Sequence, residues 1–308
     1  MVFKNLKEIE ALTLEQKEAM LNPNNKFKII KSLHRSNMML NPLNLKHLNR
    51  IDSLEADAIT LNLEDAIAPS KKREALINIA LFLSYLKETK SEIIIRVNPL
   101  NEGGLKEIEF LKDYTFNAIR VSKVKEISEI KETLKLLPPP KEVHISLETK
   151  EAFSNLSSWS LERFTRANLG ILDLLATLKL PQSLLSLKNE TVTYILTKFL
   201  IDSKVANLEP VSFMYQDYNN LEEFEELCMW ERSLGFTSKA CMGPKQVEIA
   251  NRVFAPKKED ILRAKEIVDA FEESSKKGVN GFMHPKYGFI DEPIYKDALN
   301  TLNSLNNP

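Results

Sequence analysis

The chain has 308 residues, 42 basic against 43 acidic side chains, a net charge of −1 and 43% hydrophobic content. This is the composition of a soluble globular protein, long enough for two average domains or one large α/β barrel with an appendage. The balanced charge excludes the basic footprint of a nucleic-acid binder. Only 8 residues are glycine, well below the average of roughly 7%, and neither the G-x-G-x-x-G nor the G-x-x-x-x-G-K-[ST] phosphate-loop motif occurs.

The first residues, MVFKNLKEIEALTLEQKEAM, carry charges every few positions and lack the apolar stretch of a signal peptide. No apolar run approaches the ~18 residues of a membrane span. The two cysteines, Cys228 and Cys241, are too few for a structural zinc site and too far apart for a C-x-x-C motif. A reduced, cytoplasmic protein without nucleic-acid or membrane partners is expected.

In chain order, residues 1–32 read as a helical N-terminal extension with a turn at NPNN (22–25). Eight short β-branched runs follow: SNMML (36–40), DAITLNLE (57–64), EIIIRVN (92–98), NAIRVSK (117–123), EVHISLE (142–148), ANLGIL (167–172), KVANLEPV (204–211) and SKACMG (238–243). Amphipathic segments lie between them, such as KREALINIALFLSYLKE (72–88) and NLEEFEELCMWERSLG (220–235), the latter acidic at its start and ended by Gly235. Strand–helix alternation of this kind predicts an α/β fold, a (β/α)8 TIM barrel over 33–254. Pro256 breaks the pattern before a charged helix at 257–278, and the tail VNGFMHPKYGFIDEP (279–293) reads as an ordered loop or lid. Residues 255–308 thus form a C-terminal helical extension.

The active site of such a barrel lies at the C-terminal strand ends, and there the charges gather. Strand two ends in Glu64-Asp65, strand three in Arg96 and Asn98, strand four in Lys123, strand five in Glu148, and strand six runs into Asp173. Glu148 and Asp173 come from adjacent strands, and two carboxylates facing one mouth repel unless a cation or proton lies between them. Their hard oxygens suit Mg²⁺ or Mn²⁺ completed by water and substrate oxygens. Arg96 can clamp a substrate carboxylate. The set fits chemistry that builds negative charge on a carbonyl oxygen, such as enolate formation or carbon–carbon cleavage. Among other polar residues, His144 shares the inward face of its strand, Arg35 lies at the far end of strand one, and Lys123 reads as a fixed cation rather than a Schiff-base lysine.

LNLEDAIAPSKKR (61–73) resembles the L-D-L-E-D-A-V-A-P segment of the citrate lyase beta-subunit family, the citryl-, malyl- and citramalyl-CoA lyases. The likeness continues in order through IRVN (95–98), SLET (146–149), LGILDL (169–174), SLGFTSKACMGPKQVEIANRVFAPKKEDILRAKEIV (233–268) and YGFIDEP (287–293). The resemblance implies a (β/α)8 barrel with a C-terminal helical extension, assembled as a homotrimer or dimer of trimers. It implies Mg²⁺-dependent cleavage or formation of a C–C bond between an acyl-CoA enolate and a 2-keto acid, with CoA as part of the substrate. By motif, Glu148 and Asp173 become the metal ligands and Arg96 the holder of the keto-acid carboxylate. The backbone of Gly170, Ile171, Leu172 and Asp173 contacts the same acid, and Glu64 and Asp65 hydrogen-bond metal-bound water. Asp291 becomes the general acid/base group of a neighbouring subunit's site.

The chain departs from that pattern in four places. The family's R-S-x-L-F-V-P-G is Arg35-Ser36-Asn37-Met38-Met39-Leu40-Asn41-Pro42-Leu43 here, without the glycine. I-H-P-x-Q is Met242-Gly243-Pro244-Lys245-Gln246, without the histidine. Asn62 stands for an aspartate, and Glu209-Pro210 occupies a position where an aspartate is common. The expected activity is that of a CoA-thioester lyase or Claisen-type condensing enzyme. The competing readings are a CoA-independent metal-dependent 2-keto acid aldolase and a non-catalytic metabolite-binding relative.

Overall fold

A computed structural model describes residues 1–28, 33–187 and 189–306, the side chains of the last three excepted. They group into two compact units, Met1–Phe254 and Ala255–Pro308. In the first, eight parallel strands run β1 (Ser36–Leu40), β2 (Ala58–Asn62), β3 (Glu92–Val97), β4 (Ala118–Val121), β5 (Glu142–Leu147), β6 (Phe164–Leu169), β7 (Glu209–Val211) and β8 (Lys239–Cys241). They pair in the order β7-β6-β5-β4-β3-β2-β1-β8. A bridge between Ser212 and Lys239 joins the two ends of the sheet, so the expected barrel forms.

The strands are buried on both faces and therefore read as continuous apolar runs rather than alternating ones. The period of two is still visible in what each side chain meets. On β3, Ile93, Ile95 and Val97 join the large core between sheet and helices. Ile94 instead packs inside the barrel on Ala58 and Ala118, which places Arg96 on the inward face as well.

Two predicted strands are corrected. The run 204–211 belongs partly to the helix Glu190–Val205, which stops where Asn207 turns left-handed at φ +60°, leaving only Glu209–Val211 extended. The run 167–172 begins earlier, at Phe164, and ends at Leu169, because Gly170 precedes a helix at Ile171–Thr177. The N-terminal segment contributes two short helices, Leu6–Ala11 and Leu14–Glu18. It packs onto the barrel's helices: Lys17 Nζ donates to Asn78 Oδ1 at 3.1 Å, and Phe3 N donates to Asn49 Oδ1 at 2.6 Å. The end of the predicted extension, 29–32, lies outside the described residues.

The second unit holds the helix Lys258–Ser275, an antiparallel hairpin of β9 (Gly281–His284) and β10 (Gly288–Asp291), and the helix Glu292–Asn306. The tail is thus a hairpin, not a loop. Its three-residue connection closes through Gly288 at φ +74°, the left-handed position such turns require. Asp291 ends β10, and its Oδ1 accepts the Ile294 N–H at 3.3 Å, capping the last helix.

Outside the barrel wall, Lys239 and Glu231 form an ion pair of 2.6 Å with neither side chain exposed. Ser212 Oγ donates to the same carboxylate, and the ammonium lies 3.9 Å from the Phe213 ring centroid. Removing one partner strands a buried charge, so Lys239→Met is expected to cost about 3–5 kcal/mol in denaturant unfolding. The double substitution Lys239→Met with Glu231→Leu recovers most of that loss.

Candidate active site

The charged strand ends converge as the sequence suggested, around Arg96. Its Nη2 lies 2.7 Å from Glu148 Oε1, 2.8 Å from Glu64 Oε2 and 3.4 Å from Asp65 Oδ2. Its Nε donates to Ser122 Oγ at 2.9 Å. Lys123 closes the group from β4, its Nζ 2.7 Å from Glu64 Oε1 and 3.4 Å from Asp65 Oδ1, while its backbone N–H donates to Glu148 Oε2 at 3.2 Å. Glu64, Arg96 and Glu148 are buried, whereas Asp65 is 53% exposed.

The backbone is bent to make these contacts. Ala66 and Lys123 hold φ of +67° and +52°, left-handed conformations costing on the order of 1–3 kcal/mol each that cluster at functional sites. The turn after β2 is tied by Asn62, whose Oδ1 accepts the Glu64 N–H at 3.2 Å and whose Nδ2 donates to the Asp65 carbonyl. An aspartate there could accept but not donate, so this departure from the family pattern is a backbone clamp. Lys72 braces the same turn by donating to the carbonyls of Leu63 and Glu64 at 3.1 and 3.2 Å and to Asn98 Oδ1.

Burial separates the roles of these groups. It pushes the Glu64 carboxyl up, the hydrogen bond with Asp65 adds to the rise, and Arg96 and Lys123 oppose it, leaving a value of about 7. Burial also works to raise Asp65, but its hydrogen bond with Glu64 and the charges of Arg96 and Lys123 hold it below the usual range. Glu148 is raised by burial, pulled back by Arg96 and raised again by Asp173. The hydrogen bond to Glu64 holds the Lys123 ammonium above the usual lysine range, so it stays charged and is unsuited to Schiff-base formation.

One cavity of about 470 Å³ opens onto this cluster. Asp65, Arg96, Glu148, Gly170, Ile171, Leu172 and Asp173 line it together, and Glu64 lies behind it against Arg96. Gly170 is needed there because a Cβ would come within 2.2 Å of Glu148 Cγ. Among the described residues no three His, Cys, Asp or Glu side chains form a closed metal cage. Three carboxylates face the cavity, Asp65, Glu148 and Asp173, and of these Glu148 and Asp173 are the repelling pair from adjacent strands. This pair fits a hard divalent cation that keeps water or substrate oxygens as its remaining ligands.

Several lining residues were not singled out from the sequence: Arg120, Ser146, Asn168 and Met39 among them. The missed signal is a charge inside an apolar strand, Arg120 in NAIRV. Asp291 belongs to the second unit. Other residues of the first unit lie away from the site. Arg35 forms a paired contact with Asp57 at 2.8 and 2.9 Å at the start of β1. His144 is fully buried, and burial pulls its ring down to about 4. Glu209 is exposed and paired with Lys204 at 2.9 Å, so strand seven presents no acid to the cavity. Gly243 stands where the family has histidine, and the Tyr218 ring occupies the adjoining space, 2.3 Å from where a Cβ would sit.

Residues 35–244 match the model of the HpcH/HpaI aldolase/citrate lyase family, and the chain belongs to this family of lyases. It is 25% identical over 279 residues to citrate lyase subunit beta of Haemophilus influenzae, covering 86% of this chain and 94% of that protein. It is 28% identical over 236 residues to the (3S)-malyl-CoA thioesterase of Cereibacter sphaeroides, covering 75% and 80%. The fold matches protein CitE from Mycobacterium tuberculosis in complex with magnesium, acetoacetate and coenzyme A, with a TM-score of 0.68, 16% identity and coverage of 88% and 97%.

The Glu64 value gives a signed pH dependence. Its carboxyl is raised from 4.5 to about 7, so the folded state holds the proton more tightly. The resulting stabilisation is complete below pH 4.5 and is lost as pH rises towards 7. Infrared titration should find one carboxyl protonating near pH 7 that is absent from Glu64→Gln. The same variant should flatten the fall in stability between pH 4.5 and 7.

Proposed function

We propose that this protein is a Mg²⁺-dependent carbon–carbon lyase or Claisen-type condensing enzyme. Its substrate is a 3-hydroxyacyl-CoA thioester of the citryl-, malyl- or citramalyl-CoA kind, cleaved to an acyl-CoA and a 2-keto acid. The observation that carries this reading is the convergence of Glu148 and Asp173 with Arg96 on one cavity.

Glu148 and Asp173 would hold Mg²⁺, which when bound supplies Lewis-acid stabilisation of negative charge on oxygen. Arg96, fixed by Ser122 and three carboxylates, orients the hydroxy-acid end, with the Gly170–Asp173 backbone beside it. As the C–C bond breaks, the hydroxyl loses its proton and becomes the carbonyl of the keto acid, and the bonding pair passes to the α-carbon of the thioester. Glu64, at about 7, is the group able to hold and release a proton near neutrality, while Asp65, held ionised beside it, hydrogen-bonds metal-bound water. Asp291 of a neighbouring copy returns a proton to the α-carbon, which makes a homotrimer or dimer of trimers the working form. The 25% identity to a citrate lyase subunit and the magnesium and coenzyme A bound by a protein of the same fold support this reading.

Glu148→Ala and Asp173→Ala are each expected to lower turnover of the accepted thioester by about 100-fold or more, the loss of several kcal/mol of charge stabilisation. EDTA should abolish activity and Mg²⁺ restore it. Absence of turnover with citryl-, malyl- and citramalyl-CoA would overturn the assignment. Mixing inactive Asp291→Asn with inactive Glu148→Ala should restore part of the activity, since a hybrid assembly pairs an intact Asp291 with an intact metal site. No recovery on subunit exchange would show that Asp291 does not act across subunits.

A further inference from the structure

Arg120 is the residue of the cavity that the proposed chemistry leaves unused. It sits in the middle of β4, in register with Arg96 of β3 and His144 of β5, two residues further from the mouth than Ser122. Its side chain is 3% exposed and lines the same cavity as Arg96, Glu148 and Asp173.

The two arginines are treated very differently by their surroundings. Arg96 has three carboxylates within ion-pair distance. Arg120 has no such partner among the described residues. Its Nη1 donates to the neutral Asn168 Oδ1 at 3.1 Å, and its Nε has no partner among the described residues. Around it lies a chain of uncharged groups. Thr60 Oγ1 donates to Asn37 Oδ1 at 2.7 Å, and Asn37 Nδ2 donates to the same Asn168 oxygen at 3.4 Å. This network fixes one guanidinium nitrogen and offers no negative charge. A buried cation without an anion in contact costs several kcal/mol, and burial together with Arg96 pulls it down to about 9 against the more distant charges of Glu148 and Glu64. It therefore remains charged at neutral pH. A planar guanidinium in a cavity wall matches a carboxylate, which can take two parallel hydrogen bonds.

We infer that Arg120 is a second anion receptor, deeper in the barrel than Arg96, and that the ligand brings a second carboxylate to it. Resting on the lyase reading, this deepens it: the keto acid is a 2-oxo dicarboxylate, its reacting end beside Arg96 and the acids and its distal carboxylate on Arg120. Such a pocket discriminates against monocarboxylates because an unfilled Arg120 leaves a buried charge unpaired on binding.

Calorimetric titration of the full-length protein with Mg²⁺ tests this, using pyruvate, oxaloacetate and malonate as probes. Wild type should bind oxaloacetate about tenfold or more tightly than pyruvate, the scale of one charge-assisted hydrogen bond. Arg120→Leu should remove that preference, leaving pyruvate affinity within about twofold of wild type, and Arg120→Lys should keep part of it. Arg120→Leu should also unfold at a temperature no lower than wild type, since it removes an uncompensated buried charge, whereas a structural arginine would lower it. A wild-type protein without the preference, or an Arg120→Leu variant that retains it, overturns the proposal. If neither keto acid binds, the lyase reading falls separately. Malonate binding that Arg120→Leu abolishes would then still uphold the receptor, and malonate binding that survives the substitution, or no malonate binding at all, would overturn it.

Discussion

Arg96 donates one guanidinium nitrogen towards acids on two different strands, Glu64 and Asp65 after β2 and Glu148 at the end of β5. Buried carboxylates at the mouth of a barrel would otherwise shift to their neutral forms or repel one another. The cation between them allows Glu148 to stand beside the cavity and Asp65 to stay ionised. Lys123 adds a second fixed charge from β4 and is held in a left-handed conformation to do so. The remaining features of the mouth follow from placing these groups: the Asn62 clamp, the Lys72 brace and the bare backbone of Gly170 against Glu148.

That arrangement divides the barrel interior into two electrical regions. Near the mouth, acids outnumber the bases that hold them, and Asp173 faces the same cavity without an arginine of its own, which suits a divalent cation. Further in, the balance reverses, with Arg120 set in a ring of amides and hydroxyls. A ligand spanning the two would present an oxygen-rich reacting end outward and an anionic end inward.

Much of the fold was legible because parallel barrel strands are buried on both faces and separated by amphipathic helices, a pattern local enough to survive in one dimension. EIIIRVN could be read as a strand and Arg96 as its charged end from that segment alone. The errors fell where a neighbour decided the conformation. Asn207 ended a helix inside the presumed seventh strand. Gly288 folded a supposed loop into a hairpin. Arg120 was overlooked because a charge within an apolar strand has no meaning until the strand's inward face is known.

From the sequence itself come the eight strand segments, the acidic and basic strand ends and the family to which they belong, because these depend on residue type and spacing. Closure of the barrel by the Ser212–Lys239 bridge, the sharing of Arg96 among three acids and the lack of an ion-pair contact to Arg120 among the described residues were decided only by tertiary structure. Each depends on which side chains from distant segments share one interior, where a few ångströms determine whether a charge is paired or left for a ligand.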